Sequence, residues 1–166
     1  MKRKIIFFDR DNTLIIDKNY MHNPEDLQFY DDSFSALKIM KEKGFEFIII
    51  TNQSGVGRGI FSIGQMHQFN SAMIDEFKKN DIEFIDLKFC PHSPEDDCDC
   101  RKPSPKMIHE CLAVYDIDTS LSYMIGDKTI DAKCGQAAGV NGVTINCKKS
   151  SNFKNFSSLT EFANFL

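Results

Sequence analysis

Ile5-Ile6-Phe7-Phe8-Asp9-Arg10-Asp11-Asn12-Thr13 is a short apolar run that stops on an acid and opens into a polar loop. Bulky apolar residues without polar alternation read as a strand buried on both faces. The same shape recurs along the chain. Residues 45–50 form a second run ended by Thr51, 84–89 a weaker third, 122–125 a fourth and 142–145 a fifth. Helical spacing fills the intervals. Residues 33–43 place Phe34, Leu37 and Met40 on one face, and Gly44 stops them. Residues 63–79 do the same with Met66, Phe69, Met73, Ile74 and Phe77. Ser104-Pro105 reads as an N-cap with proline at the first helical position, opening a helix to about Tyr115. Residues 130–138 and 157–166 give two more helices. Strands alternating with helices predict an α/β fold, a doubly wound parallel sheet with helices on both faces and right-handed crossovers. Residues 15–32 and 90–103 remain as long irregular stretches, a length that marks functional loops in compact domains.

The chain has 166 residues, 42% hydrophobic, which suits a single domain over 1–166 with a real core and excludes a disordered chain. Twenty Lys plus Arg against 24 Asp plus Glu give a net charge of −4. No global basic field attracts nucleic acid or an anionic membrane, so an anionic ligand needs a local basic pocket. The apolar runs are far too short to cross a bilayer. Met1-Lys2-Arg3-Lys4 and the short run after it lack the length of an export signal, so a cytoplasmic protein is expected. In that compartment the six cysteines are thiols or metal ligands rather than disulfides.

Ligands of open α/β sheets bind outside the carboxyl ends of the strands. There the chain places Asp9 and Asp11, then Thr51, Asn52, Gln53 and Ser54, then Gly126-Asp127-Lys128 with Asp131 following. Asp9 and Asp127, if adjacent, make a hard oxygen site suited to Mg²⁺ with a substrate phosphate as further ligand. One carboxylate can attack phosphorus to form an aspartyl-phosphate, and a second can protonate the leaving oxygen and later activate water. Lysine and threonine suit the charge spread over the transferring group. Asp-x-Asp-x-Thr alone equally describes a turn that caps a helix; three polar strand ends together favour chemistry.

Asp9-x-Asp11-x-Thr13, Thr51, Lys102 and Gly126-Asp127-x-x-x-Asp131 resemble, in order, the four motifs of the haloacid-dehalogenase (HAD) phosphohydrolases. Cys90-Pro91-His92 and Cys98-Asp99-Cys100-Arg101-Lys102-Pro103 resemble a segment shared by the D-glycero-D-manno-heptose 1,7-bisphosphate phosphatases and the histidinol-phosphate phosphatases of that superfamily. The resemblance implies a HAD-like fold and a nucleophile at Asp9 with the acid/base at Asp11. It implies Mg²⁺ on Asp9, Asp127 and the Asp11 carbonyl, with the phosphoryl group held by Thr51 and Lys102. Arg101, Lys128, Asp17, Lys18, Asn19, Tyr20, Asn52, Gln53 and Ser54 would contact substrate, and Asp131 would stand behind the metal ligands. Many relatives have Gly where this chain has Asn12; asparagine tolerates positive φ, so the loop is expected to keep its path.

Cys90, His92, Cys98 and Cys100 form a Cys₃His set, common in closed structural Zn²⁺ sites. Free thiols, a disulfide and a redox pair are the competing readings. A closed site has no open position for chemistry, so its use would be to tie down the loop carrying Arg101 and Lys102. Cys111, Cys134 and Cys147 lack partners at ligand spacing. His67 and His109 fall on helix surfaces, and His22 sits in the loop after the first motif, where a substrate role and a solvated one are both open.

No insertion is large enough for a large cap domain, which fits a small phosphorylated sugar or metabolite and a monomer. Ser54-Gly55-Val56-Gly57-Arg58-Gly59 and the 17–22 stretch resemble the heptose group, and Arg58 then suits a second phosphate. The short interval from His92 to Cys98 resembles the histidinol group. The expected activity is thus removal of the 7-phosphate of a heptose 1,7-bisphosphate on the way to nucleotide-activated heptose for lipopolysaccharide or other surface glycans. Histidinol-phosphate hydrolysis, transfer to an acceptor other than water, and an inactive zinc-stabilised binding module are the alternatives.

Overall fold

A computed structural model of the chain describes residues 2–149 and 152–166; Met1, where the export-signal and domain expectations begin, lies outside them. The five expected strands are present: β1 (Lys4–Phe8), β2 (Phe45–Asn52), β3 (Phe84–Cys90), β4 (Tyr123–Gly126) and β5 (Asn141–Ile145). A two-residue β6 (Asn155–Phe156), too short to carry a sequence period, joins them. All pairings are parallel, in the order β3-β2-β1-β4-β5-β6.

Successive residues of β1 point to opposite faces, and both faces are covered. Ile6 and Phe8 join one core with Phe47, Ile49 and the helices α1 (Ser33–Glu42), α3 (Ile63–Lys79) and α6 (Leu159–Phe165). Ile5 and Phe7 join another with Ile48, Ile50 and the helices α4 (Lys106–Val114) and α5 (Thr129–Ala137). The first two crossovers thus pack on one face and the next two on the other, the doubly wound arrangement that the alternation predicts. Between β1 and β4 the strand order reverses, which opens a crevice beside the carboxyl end of β1.

Local differences have local causes. A short α2 (Ser54–Gly57) follows β2. Helix α4 begins one residue late, with Pro105 at the N-cap position, although the Ser104 hydroxyl still accepts from Lys106 N at 3.3 Å while donating to the Asp99 carbonyl at 2.6 Å. Residues 15–32 are less irregular than expected: Ile15 bridges Phe29, and Ile16 N donates to Gln28 O at 2.9 Å. Among the described residues no inserted cap domain is present, and no helix is long and apolar enough to cross a membrane.

Phe77 closes the core under this first loop. Its ring lies 5.1 Å from each of Phe29, Phe34 and Phe84. Phe77→Ala is expected to cost about 3–5 kcal/mol, read as a lowered urea midpoint at unchanged slope. A loss below about 1 kcal/mol would show that the aromatic cluster is not a structural anchor.

Candidate active site

The chain leaves β1 at Asp9, whose N–H donates to Ile125 O on β4 at 2.9 Å, so the first acid is fixed at the switch point. Asn12 then takes φ 56°, as the substitution for glycine requires, and its Oδ1 accepts from Asp17 N at 3.2 Å.

Lys102 reaches this point from the far loop. The residue is 3% exposed, and its ammonium donates to Asp9 Oδ1 at 2.8 Å and Ile50 O at 2.8 Å, with Asp131 Oδ1 at 2.7 Å. Burial is the strongest influence on its pKa and pulls it down, but Asp131 and Asp9 outweigh burial and hold it above the ordinary lysine value. Asn52 sets the lysine's backbone: its Oδ1 accepts from Lys102 N at 3.0 Å, and its Nδ2 lies 3.4 Å from Lys102 O. The Asp131 carboxylate crosses so close to β4 that a Cβ on Gly126 would stand 2.2 Å from its Oδ2. Only glycine fits there.

Asp127 completes the acids. Asp9, Asp127 and Asp131 offer ligand atoms within 4.8 Å of one another. Asp131 is already engaged, through Lys102 and through Lys128 N on Oδ2 at 3.1 Å. Asp127 Oδ1 is buried with no hydrogen-bond partner. Burial, then the charge of Asp9, push the Asp127 carboxyl up to about 7. Unpaired carboxylate oxygen beside a second carboxylate is a fit for a hard divalent cation.

Asp11 faces the same cavity. Its Oδ2 accepts from Gln53 Nε2 at 3.0 Å, and that amide also donates to Thr51 Oγ1 at 2.8 Å. Gln53 therefore joins the second acid to the hydroxyl at the end of β2. Burial raises the Asp11 carboxyl, opposed by the Arg10 guanidinium. Arg10 is the functional neighbour to which sequence reasoning gave no role; a bulky cation set between two loop acids was the available signal.

A cavity of about 210 Å³ opens above these groups. Asp9, Arg10, Asp11, Lys102 and Asp131 line its floor, and Asp17, Asn19, Tyr20, Asn52, Gln53, Ser54, Arg101 and Lys128 line its walls, whereas Asp127 opens on a neighbouring cavity and Thr51 is fully buried beneath. Lys18 is absent from the lining because its ammonium turns outward to Asp26 O at 3.1 Å. Arg58 is absent as well: it meets Glu95 at 3.4 Å in an exposed pair on the rim. Its segment is fixed to the cysteine loop, since Gly57 N donates to Pro91 O at 2.8 Å. His22 stacks on Phe61 at 5.1 Å, outside the lining.

The cysteine loop brings Cys90, His92, Cys98 and Cys100 together, with ligand atoms within 4.8 Å and all three thiols free of disulfides. Cys90 and Cys98 sulfurs are 3.5 Å apart and Cys98 and Cys100 3.8 Å, near the edge of about 3.8 Å that a tetrahedron of 2.3 Å zinc–sulfur bonds requires, whereas Cys90 and Cys100 stand at 2.7 Å and would have to part by about 1 Å around an ion. Burial acts to raise the Cys98 thiol, but hydrogen bonds from the Arg101 backbone and Cys90 bring it down to about 7. Burial pushes the Cys90 and Cys100 thiols the other way, up. Cys111 and Cys134 are buried in α4 and α5, and His67 and His109 are exposed on helix surfaces.

Residues 4–164 match the family described as polynucleotide kinase 3 phosphatase. A protein of Thermoplasma volcanium named probable D-glycero-D-manno-heptose-1,7-bisphosphate 7-phosphatase is 43% identical over 125 residues, 75% of this chain and 86% of its own. The D-glycero-beta-D-manno-heptose-1,7-bisphosphate 7-phosphatase of Pasteurella multocida is 37% identical over 149 residues, 86% of this chain and 81% of its own. The fold resembles the crystal structure of D,D-heptose 1.7-bisphosphate phosphatase from B. bronchiseptica complexed with magnesium and phosphate. The TM-score is 0.85, at 23% identity over 98% of this chain and 97% of that one.

An acid whose folded pKa stands above its unfolded value destabilises the fold where it is charged. For Asp127 that cost is full above about pH 7 and fades as pH falls toward 4. Without added divalent cation, Asp127→Asn is therefore expected to be more stable than the parent at pH 8, with the gap closing on acidification. Urea unfolding across this range checks it; a gap constant with pH, or widening in acid, counts against the repulsive cluster.

Proposed function

The chain belongs to the family of HAD-superfamily D-glycero-D-manno-heptose-1,7-bisphosphate 7-phosphatases, and on that premise we propose that it removes the 7-phosphate of such a heptose bisphosphate. The observation that carries the chemistry is Asp9, one oxygen held by Lys102 on the floor of a cavity with cationic walls, with Asp127 and its unpartnered oxygen close by. The kinship carries the substrate.

In this reading Asp9 attacks phosphorus, the bond from phosphorus to the C7 oxygen breaks, and Asp11 gives its proton to the leaving alkoxide. Asp11 then takes a proton from the water that attacks the aspartyl-phosphate, and inorganic phosphate leaves with Asp9 restored. Lys102, kept charged by its two carboxylates, and Thr51 hold the equatorial oxygens. Asp9, Asp127 and the Asp11 carbonyl would hold Mg²⁺, which supplies charge neutralisation at the transferring phosphoryl group. Arg101 and Lys128 contact the substrate from the walls with Asp17, Asn19, Tyr20, Asn52 and Ser54. Gln53 serves the acid as well as the sugar. Arg58 takes the distal phosphate by leaving Glu95, a solvated partner at 3.4 Å that costs little to give up.

Cys90, His92, Cys98 and Cys100 hold one structural Zn²⁺, which fixes the segment that delivers Arg101 and Lys102. The working unit is one domain over 1–166, a monomer in the cytoplasm, where its buried free thiols stay reduced.

Asp9→Asn is expected to abolish turnover with fold and zinc content kept; residual activity in a clean preparation overturns the nucleophile. Zinc should copurify at one per chain, and Cys98→Ser should lower both stability and activity. Phosphate release from a panel of both heptose bisphosphate anomers, histidinol phosphate, generic sugar phosphates and a 3′-phosphorylated oligonucleotide tests the substrate. A heptose bisphosphate should lead by kcat/KM, and any other leader displaces the assignment. Arg58→Ala should lower kcat/KM on the bisphosphate by about tenfold to a hundredfold and spare monophosphates. Equal losses would place Arg58 in the fold or at the reacting centre.

A further inference from the structure

Arg10 heads the fully buried side chains by size, 1% exposed, and the roles above leave it unused. A buried guanidinium is costly unless its N–H groups are paired. Here they are. Nη1 donates to Asn70 Oδ1 at 2.8 Å, and the cation lies 4.7 Å above the Phe69 ring, both on α3. Nη2 reaches Met21 O at 3.4 Å. These contacts fix the guanidinium from the α3 side and from the loop after the first motif. Its remaining donors go to the adjacent residue: Nε to Asp11 Oδ1 at 3.1 Å and Nη2 to Asp11 Oδ2 at 3.1 Å.

Each carboxylate oxygen has two acceptor positions. Oδ2 of Asp11 fills both, with Arg10 Nη2 and Gln53 Nε2. Oδ1 accepts from Arg10 Nε at 3.1 Å and also stands 3.0 Å from Arg10 Nη2, so both oxygens are held. We infer that Arg10 is a positioning residue for the acid/base: its guanidinium, facing both oxygens, fixes the plane of the Asp11 carboxyl group while Gln53 holds Oδ2. This rests on the acid/base reading of Asp11. A group misplaced by an ångström loses about a hundredfold in rate, so the fork matters most where the leaving oxygen needs a proton.

The test separates leaving groups. Single-turnover release is measured for the heptose 1,7-bisphosphate, whose alkoxide needs a proton, and for p-nitrophenyl phosphate, whose phenolate does not. Arg10→Lys keeps a cation and an apolar stem over Phe69 but loses the fork. It should slow release from the sugar phosphate by about a hundredfold and from the aryl phosphate by less than about fivefold. Asn70→Ala leaves Arg10 and Asp11 in place and removes only the Nη1 partner; the same selectivity is expected, more weakly. Equal losses on both substrates, or none, overturn the inference. If Arg10→Lys does not fold, the Asn70→Ala ratio decides. Asp11→Asn runs in parallel. Equal losses there overturn the acid/base reading itself, whereas a selective Asp11→Asn beside an unselective Arg10→Lys overturns the role of Arg10 alone.

Discussion

The buried ammonium of Lys102 is the charge on which the site depends. Three carboxylates crowd the end of β1, and Lys102 bonds two of them from a position almost without solvent. Removing one partner from such a cluster leaves uncompensated buried charge, a loss on the order of 3–5 kcal/mol. The lysine in turn is set by the Ile50 carbonyl and by the Asn52 side chain at the end of β2. It also follows directly on the cysteine loop, so whatever fixes Cys100 also fixes the arm that feeds the ammonium inward. Strand ends, loop and acids are therefore one electrostatic unit.

Much of this was legible because parallel strands buried on both faces leave uninterrupted apolar runs. The runs at 5–8 and 45–50 gave their strands to within two residues at either end, and 63–79 gave α3 over the full Ile63–Lys79. Strand β6 was not legible, since two residues carry no period. The start of α4 was read one residue early, although Ser104 does accept from the first helical N–H, as the capping signal implies.

The acids at the strand ends were legible for a similar reason: topology alone carries them to one edge. Side-chain direction was not. Lys18 and Arg58 stand in segments next to the cavity yet turn toward Asp26 and Glu95, while Arg10, read only as a spacer between acids, turns inward under α3. Cations on flexible stems choose among nearby carboxylates and carbonyls, and that choice is made in three dimensions.

The order of the strands also governs how the molecule behaves toward its own copies. A parallel sheet has two open margins, and each is a template on which another chain can add a strand. One margin here is β6, whose two residues offer almost nothing to pair with. The other is β3, half-buried along most of its length, where Asp86 and Lys88 form a 3.2 Å ion pair on the outer strand. An incoming strand would have to strip water from both charges. Short length limits pairing at one border, and the other carries a charged pair beside Tyr115.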